Sequence, residues 1–292
     1  MSSVLMGIEA SLPVSAFGIT FGKTIAAGTY TVGVPEGYPD FGNNPQREIQ
    51  IERDIRFATT PTTNEQLAKV LQAMGSQNTV LTALLPDDRQ VVVARGTESQ
   101  IRALSDSDIR AALGDILKSR SKTVGAVVSA GGSVTFNLNG LASDLALAMV
   151  TLEARSPKKF DQGEQPAVCQ DWYEAATLAA LMGGRLSTEE EWEVAAADLR
   201  DVSHENLAEY AHFEAGATAL VGGRRANRYG LHDMLGNVWE WQAGLYKSGK
   251  VHRGLRGGSW NHFAELVRAS DRNYYHPEGR SYGAGFRVVA SA

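Results

Sequence analysis

Three sets of residues in this 292-residue chain could do chemistry. The first is a thiol. Cys169 is the only cysteine, so neither an intrachain disulfide nor a Cys-rich zinc site can form. The second is the imidazoles: His204, His212, His232, His252, His262 and His276. No pair has metal-ligand spacing on a predicted helix, although His262 and His276 could meet in space. The third is a cluster between Trp260 and Gly285: His262, Phe263, Asp271, Tyr274, Tyr275, His276, Gly279, Ser281, Tyr282 and Gly283. Tyrosine offers large contact area at low entropy cost, while serine and glycine give room to fit, as in antibody loops. The chemistry of this third set is recognition. An ordinary polar loop is the plainer alternative.

A recognising loop needs a frame. The residues between the cluster members supply one: Gly257-Gly258-Ser259-Trp260, Val267-Arg268-Ala269-Ser270, Arg272-Asn273, Pro277, Arg280 and Gly285-Phe286-Arg287. Such positions hold the backbone while side chains between them change. Upstream, residues 1–33 read as short strands and 34–46 as a loop. Ile49, Ile51, Ile55 and Phe57 alternate with polar residues, which predicts one half-buried strand; Arg53 is the exception on the apolar side. Thr63 with Gln66 predicts a capping box, followed by a helix burying Leu67, Val70, Leu71 and Met74.

The stretch 80–155 reads as an embedded subdomain. Its predicted elements are strands at 91–93, 124–128, 134–138 and 145–152 and a helix at 105–117. Helices are predicted from Trp172 to Met182, stopped by Gly183-Gly184, and from Glu189 to Leu199, capped at Ser187-Thr188. Beyond Gly222, short strands joined by long loops are expected.

Bulk properties exclude some classes. Apolar residues make up 43% and charged residues 21%, as in ordinary globular proteins. The net charge is −5 and no Lys/Arg cluster stands out, which argues against nucleic-acid binding. No apolar run approaches the roughly 18 residues of a membrane span, so no membrane insertion is expected. Met1 to Gly18 has no basic residue ahead of its apolar stretch, and Glu9 interrupts it. It does not read as a signal peptide, which predicts synthesis in the cytoplasm.

Four separated blocks resemble one family. They are Trp172-Tyr173-Glu174-Ala175-Ala176 with Gly183-Gly184-Arg185-Leu186-Ser187-Thr188-Glu189-Glu190-Glu191-Trp192-Glu193; Asn227 to Trp241, through Gly236-Asn237-Val238-Trp239-Glu240; Arg256-Gly257-Gly258-Ser259-Trp260; and Gly285-Phe286-Arg287-Val288. In this order they resemble the formylglycine-generating-enzyme (sulfatase-modifying factor) family. The Arg53 to Leu71 stretch also looks like that family's opening.

The resemblance implies an α+β chain with the C-type lectin fold: two helices, small antiparallel sheets and long ordered loops. It implies a lectin-fold domain at 28–292 that carries the α/β insertion at about 80–155 and a variable region at about 261–284. Residues 1–27 are then an N-terminal β segment packing on the domain. Trp239, Trp241, Trp260, Arg185 and Arg287 read as structural, because indoles bury area and an arginine fork ties loop carbonyls together.

Enzymes of this family need a cysteine pair late in the domain to bind copper and exchange with the substrate thiol. No cysteine follows Cys169 here. The related sulfoxide synthases hold iron with histidines of a separate helical domain. The reading is therefore of a protein with no enzymatic activity and no catalytic cofactor; an oxidoreductase with altered chemistry is the alternative. The resemblance also implies a structural Ca2+ held by Asp233, the carbonyls of Gly236 and Val238, and Glu240, all hard oxygen donors. Metal-free capping of local turns by Asp233 and Glu240 remains the other option.

The segment 261–284 further resembles the variable region of diversity-generating-retroelement proteins such as phage tropism determinants. Mutation of adenines in AAC codons yields Tyr, His, Asp, Ser, Gly, Phe and Ala among others, and all ten cluster residues are reachable in this way. This resemblance implies a protein or glycan ligand on a host or neighbouring cell surface, and display on a virion. A structural virion role, with contacts from 80–155, is a third possibility.

Overall fold

The computed structural model describes residues 5–6, 14–35, 44–84, 90–105, 107–109, 111–113, 146–247 and 251–292. Strands β1 (Leu5–Met6), β2 (Gly28–Val32), β3 (Arg47–Ile51) and β4 (Ile55–Phe57) come first. The single predicted strand over 49–57 is thus two. It breaks at Glu52-Arg53-Asp54, where the alternation fails: Arg53 on the apolar parity cannot follow Ile51 and Ile55 inward. The halves take different partners. β3 pairs antiparallel with β2, and β4 pairs with the last strand of the chain, β14 (Val289–Ser291).

Helix α1 (Asn64–Met74) begins at the expected capping box, with Thr63 accepting the Gln66 N–H and Gln66 reaching back. Its buried side is Leu67, Val70 and Met74. Strands β5 (Thr79–Leu84), β6 (Gln90–Gly96) and β7 (Ala146–Thr151) join β1 in a four-stranded sheet of order β1-β6-β5-β7. A short helix, α2 (Glu98–Arg102), follows β6. The strands expected at 124–128 and 134–138 lie outside the described residues, as does much of the helix expected at 105–117.

Helix α3 (Trp172–Leu181) is capped by Asp171, which accepts the Glu174 N–H. Trp172, Ala175, Ala176, Leu178, Ala179 and Leu181 are all buried, so this helix is covered on nearly every side. Val80, Val92, Ala148 and Val150 of the insertion sheet share its core with Trp239, Trp241 and Phe286. Helix α4 (Glu189–Ala195) starts from a capping box between Thr188 and Glu191 and ends before the predicted Leu199; a separate 3-10 turn covers Ala197–Leu199. A second core gathers Trp192, Ile55, Phe57, Leu231, Leu235 and Val267.

The rest is built from short pieces. They are α5 (Leu207–Tyr210), β8 (Ala211–His212), β9 (Leu235–Gly236), β10 (Trp239–Leu245), β11 (Arg253–Arg256), β12 (Arg272–Tyr275) and β13 (Ala284–Gly285). A second four-stranded sheet has the order β12-β11-β10-β13. The 3-10 turn at Ala264–Leu266 and strand β12 lie within residues 261–284, and β13 begins at its end. The architecture is α+β with few helices and small sheets, and long ordered loops join them.

Candidate ligand-binding face

Arg256, Arg272, Arg280 and Arg287 each donate to a carboxylate. Arg287 donates from Nη2 (2.6 Å) and Nε (2.9 Å) to Glu240 Oε1, and from its other N–H groups to the carbonyls of Ala58 and His232. The Trp192 indole N–H takes the other Glu240 oxygen at 2.8 Å. Arg256 donates to Glu193 at 2.5 Å and to the carbonyls of Ser270 and Asp271. Arg272 grips Glu189 with two N–H groups, at 2.6 and 2.9 Å. Arg280 reaches Asp171 at 2.6 Å, and also Glu174 and the Cys169 carbonyl. The forked guanidinium suits this work, because one side chain can hold a carboxylate and several loop carbonyls together.

The side chains between these anchors divide. Phe263 (68% exposed), Tyr274, Tyr275, His276 and Tyr282 stand in solvent. Two expected members do not. Asp271 is 4% exposed, because its carbonyl sits on the Arg256 guanidinium and turns the residue inward. Gly283 is buried: its carbonyl accepts the Trp239 N–H, and a Cβ there would lie 3.1 Å from Ser259 Oγ. Gly279 is equally constrained, since a Cβ would meet the Tyr275 ring at 2.2 Å and the His276 carbonyl at 2.9 Å.

Ser281 and His262 are intermediate. Ser281 Oγ accepts the Gly283 N–H. His262 packs edge-on against Trp239, with Nδ1 2.7 Å from Ser259 Oγ. The Ser259 hydroxyl gives its one proton to Asn261, so the imidazole N–H donates in return. Burial pushes the His262 pKa down. Asp271 and Gly283 are thus buried beneath the exposed side chains, and Gly279 is tightly packed.

The structure brings to this face residues that the sequence reading did not assign to it. The end of the β10–β11 hairpin lies against β12, so Tyr246 stacks on Tyr274 at 4.6 Å and His252 meets Tyr274 at 5.1 Å and His276 at 6.1 Å. Leu245 and Val251 are exposed beside them. The available signal was Ser248-Gly249 between two short apolar-and-aromatic runs, a hairpin cue. β12 is the outer strand of its sheet, and the Tyr274 N–H is taken by Asn273 Oδ1 at 2.8 Å.

The expected calcium ligands lie on one turn. Asp233 and Asn237 have φ of 54° and 58°, in the left-handed region. Asp233 is buried and accepts the Gly222 N–H at 2.7 Å; burial pushes its pKa up, while that N–H and Arg287 pull it down. A cation would suit that carboxylate. Glu240 fits less well, since Arg287 and Trp192 occupy both its oxygens. Among the described residues no group of three His, Cys, Asp or Glu side chains is placed to hold a metal ion. Cys169 is buried, with its thiol pKa pushed up by desolvation.

The family model of the sulfatase-modifying factor enzyme 1-like domain matches residues 23–292. A mouse relative, inactive C-alpha-formylglycine-generating enzyme 2, is 35% identical over 155 residues, covering 44% of this chain and 50% of that protein. The chain spans about half the length, or less, of the curated relatives it matches. Among solved structures, PvdO from Pseudomonas aeruginosa superposes with a TM-score of 0.58 at 19% identity, covering 94% of this chain and 98% of that one. Treponema denticola variable protein 1 does so with a TM-score of 0.56 at 18% identity, covering 93% and 95%. The fold is the C-type lectin fold of this family.

Two outcomes follow from this geometry. Arg287→Ala strands Glu240 as a buried charge and is expected to destabilise the protein by about 3–5 kcal/mol. Phe263→Ser is expected to stay within about 0.5 kcal/mol of the parent. Urea denaturation measures both.

A third outcome concerns Asp171, whose pKa is raised to about 6, first by burial and then by Glu174. A raised carboxylate binds its proton more tightly folded than unfolded. It therefore adds stability at low pH and loses it as pH rises towards 6. Asp171→Asn keeps a capping oxygen and should lose this slope between about pH 4 and 6. An unchanged pH–stability curve would show that Asp171 does not carry it.

Proposed function

The chain belongs to the sulfatase-modifying factor enzyme 1-like family, and from that footing we propose that it is a ligand-binding variable protein diversified by a retroelement, without enzymatic chemistry. The observation that carries this reading is the division within residues 256–287. Arg256, Arg272, Arg280 and Arg287 are paired with carboxylates, while Phe263, Tyr274, Tyr275, His276 and Tyr282 are exposed, Tyr275 and Tyr282 with their rings 6.3 and 5.6 Å from those of buried Trp241 and Phe160. Such a face can change its chemistry without changing the fold.

Two further observations support the non-enzymatic half of the reading. No cysteine follows Cys169, and the mouse relative is named as inactive. The partner is a protein or glycan on the surface of a host or neighbouring cell, met by display on a virion or cell surface. No helix among the described residues is long and apolar enough to cross a membrane, in keeping with display by attachment.

Sequencing the gene's neighbourhood tests the proposal. A near-identical copy of the 261–284 codons is expected beside a reverse-transcriptase gene, with AAC at the codons of Phe263, Tyr274, Tyr275, His276 and Tyr282. A neighbourhood with no such copy overturns diversification. Purified protein that binds copper or iron and oxidises a thiol peptide would favour the oxidoreductase reading instead.

Structural calcium at Asp233 and the Gly236 and Val238 carbonyls belongs to the same proposal. Calcium added to chelator-treated protein should raise Tm, and Asp233→Asn should abolish the rise. Equal Tm with and without calcium removes the ion.

A further inference from the structure

We propose that His252 and His276, opposed across the ends of β11 and β12, bind a divalent transition-metal ion of the zinc class. His252 immediately precedes β11, and His276 immediately follows β12. The antiparallel ladder between these strands pairs Arg256 with Arg272, Leu255 with Asn273, Gly254 with Tyr274 and Arg253 with Tyr275. Its next rung sets His252 opposite His276. Residues directly opposed in this way share a face, with Cβ atoms about 4.5–5.5 Å apart. The rings meet as that register requires: their centroids are 6.1 Å apart and their planes stand at 88°. A Zn–N bond of about 2.0–2.1 Å puts a ring centroid about 3.2 Å from the ion, so two imidazoles on one ion lie roughly 5–6.5 Å apart. The pair is already within that range.

Both rings are open to an ion. His276 is half exposed, and His252 is partly so. The His252 ring touches the rings of Tyr274 and His276, and among the described residues its nitrogens take no hydrogen bond. At His276 the Glu278 N–H reaches Nδ1 at 3.4 Å, a long contact, and the Glu278 carboxylate stands 4.0 Å from the same nitrogen. A metal on Nε2 moves the ring proton to Nδ1, where that carboxylate accepts it. This is the pairing that orients many metal-bound histidines.

The ligand type selects the ion. Imidazole suits Zn2+, Cu2+ and Ni2+, whereas Ca2+ and Mg2+ require oxygen. The neighbouring cations are Arg272, held by Glu189, and Lys247, which lies over the Tyr246 ring. Two imidazoles do not fill a coordination shell; water or a carboxylate of a bound partner completes it. The site does not depend on diversification of 261–284, since His252 lies outside that segment and His276 is present in this chain.

Calorimetric titration of the full chain with zinc, after metal stripping and in buffer that contains calcium and magnesium, tests the proposal. One saturable zinc site is expected despite those two ions. His252→Asn and His276→Asn should each weaken it by at least about tenfold, because even the groups behind a metal's own ligands contribute about that much. His204→Asn, at an exposed imidazole elsewhere, should leave it unchanged. The Tm of each variant reports that it is folded. No saturable zinc binding, parent-like affinity in folded His252→Asn or His276→Asn, or an equal loss in His204→Asn would overturn the proposal.

Discussion

The buried pair of Arg287 and Glu240 is the constraint on which the rest of this fold turns. Both side chains are almost fully removed from water. A charge in that position is costly unless its partner and every remaining donor are satisfied. Arg287 meets the condition with Glu240 and two carbonyls, one after β4 and one before Asp233; Trp192 of α4 closes the other Glu240 oxygen. Four distant stretches of chain must therefore arrive together. Neither core can form independently of that meeting, since Trp241 and Phe286 lie in one and Trp192 and Phe57 in the other.

The other arginine clamps extend the same logic outward. Arg256, Arg272 and Arg280 each tie the 261–284 segment to a carboxylate of α4 or of the start of α3. Loops with little regular structure are ordinarily soft. Here their backbone is pinned by charged hydrogen bonds at short intervals, so order comes from tie points and not from ladders. Stability rests mainly on what faces inward; of the outward side chains, the tyrosines add ring contacts to Tyr246, Trp241 and Phe160.

Much of this was legible in the sequence. The capping boxes at Thr63 and Thr188 and the glycine stop after Met182 are local signals, and local hydrogen bonds honour them. The break of the 49–57 strand was present only as Arg53, a single exception to alternation. Non-local pairing decided it, because β4 is claimed by β14 at the other end of the chain. The face was legible by residue type but not by direction. Asp271 and Tyr274 are equally reachable from one codon, yet one sits under Arg256 and the other in solvent. Tyr246 and His252 were not assigned to the face because only the register of β10, β11 and β12 brings them beside Tyr274.

Strand β12 raises a problem that any exposed aromatic face must solve. Tyr274 and Tyr275 lie on an outer strand, and sticky side chains on an open sheet edge invite one molecule to zip onto the next. This strand is four residues long, and Asn273 takes up one of its backbone donors with its own side chain. If the face is diversified as proposed, it cannot rely on each new set of side chains to keep copies apart. The protection lies in the backbone instead, where a short, self-occupied edge persists through whatever the side chains become.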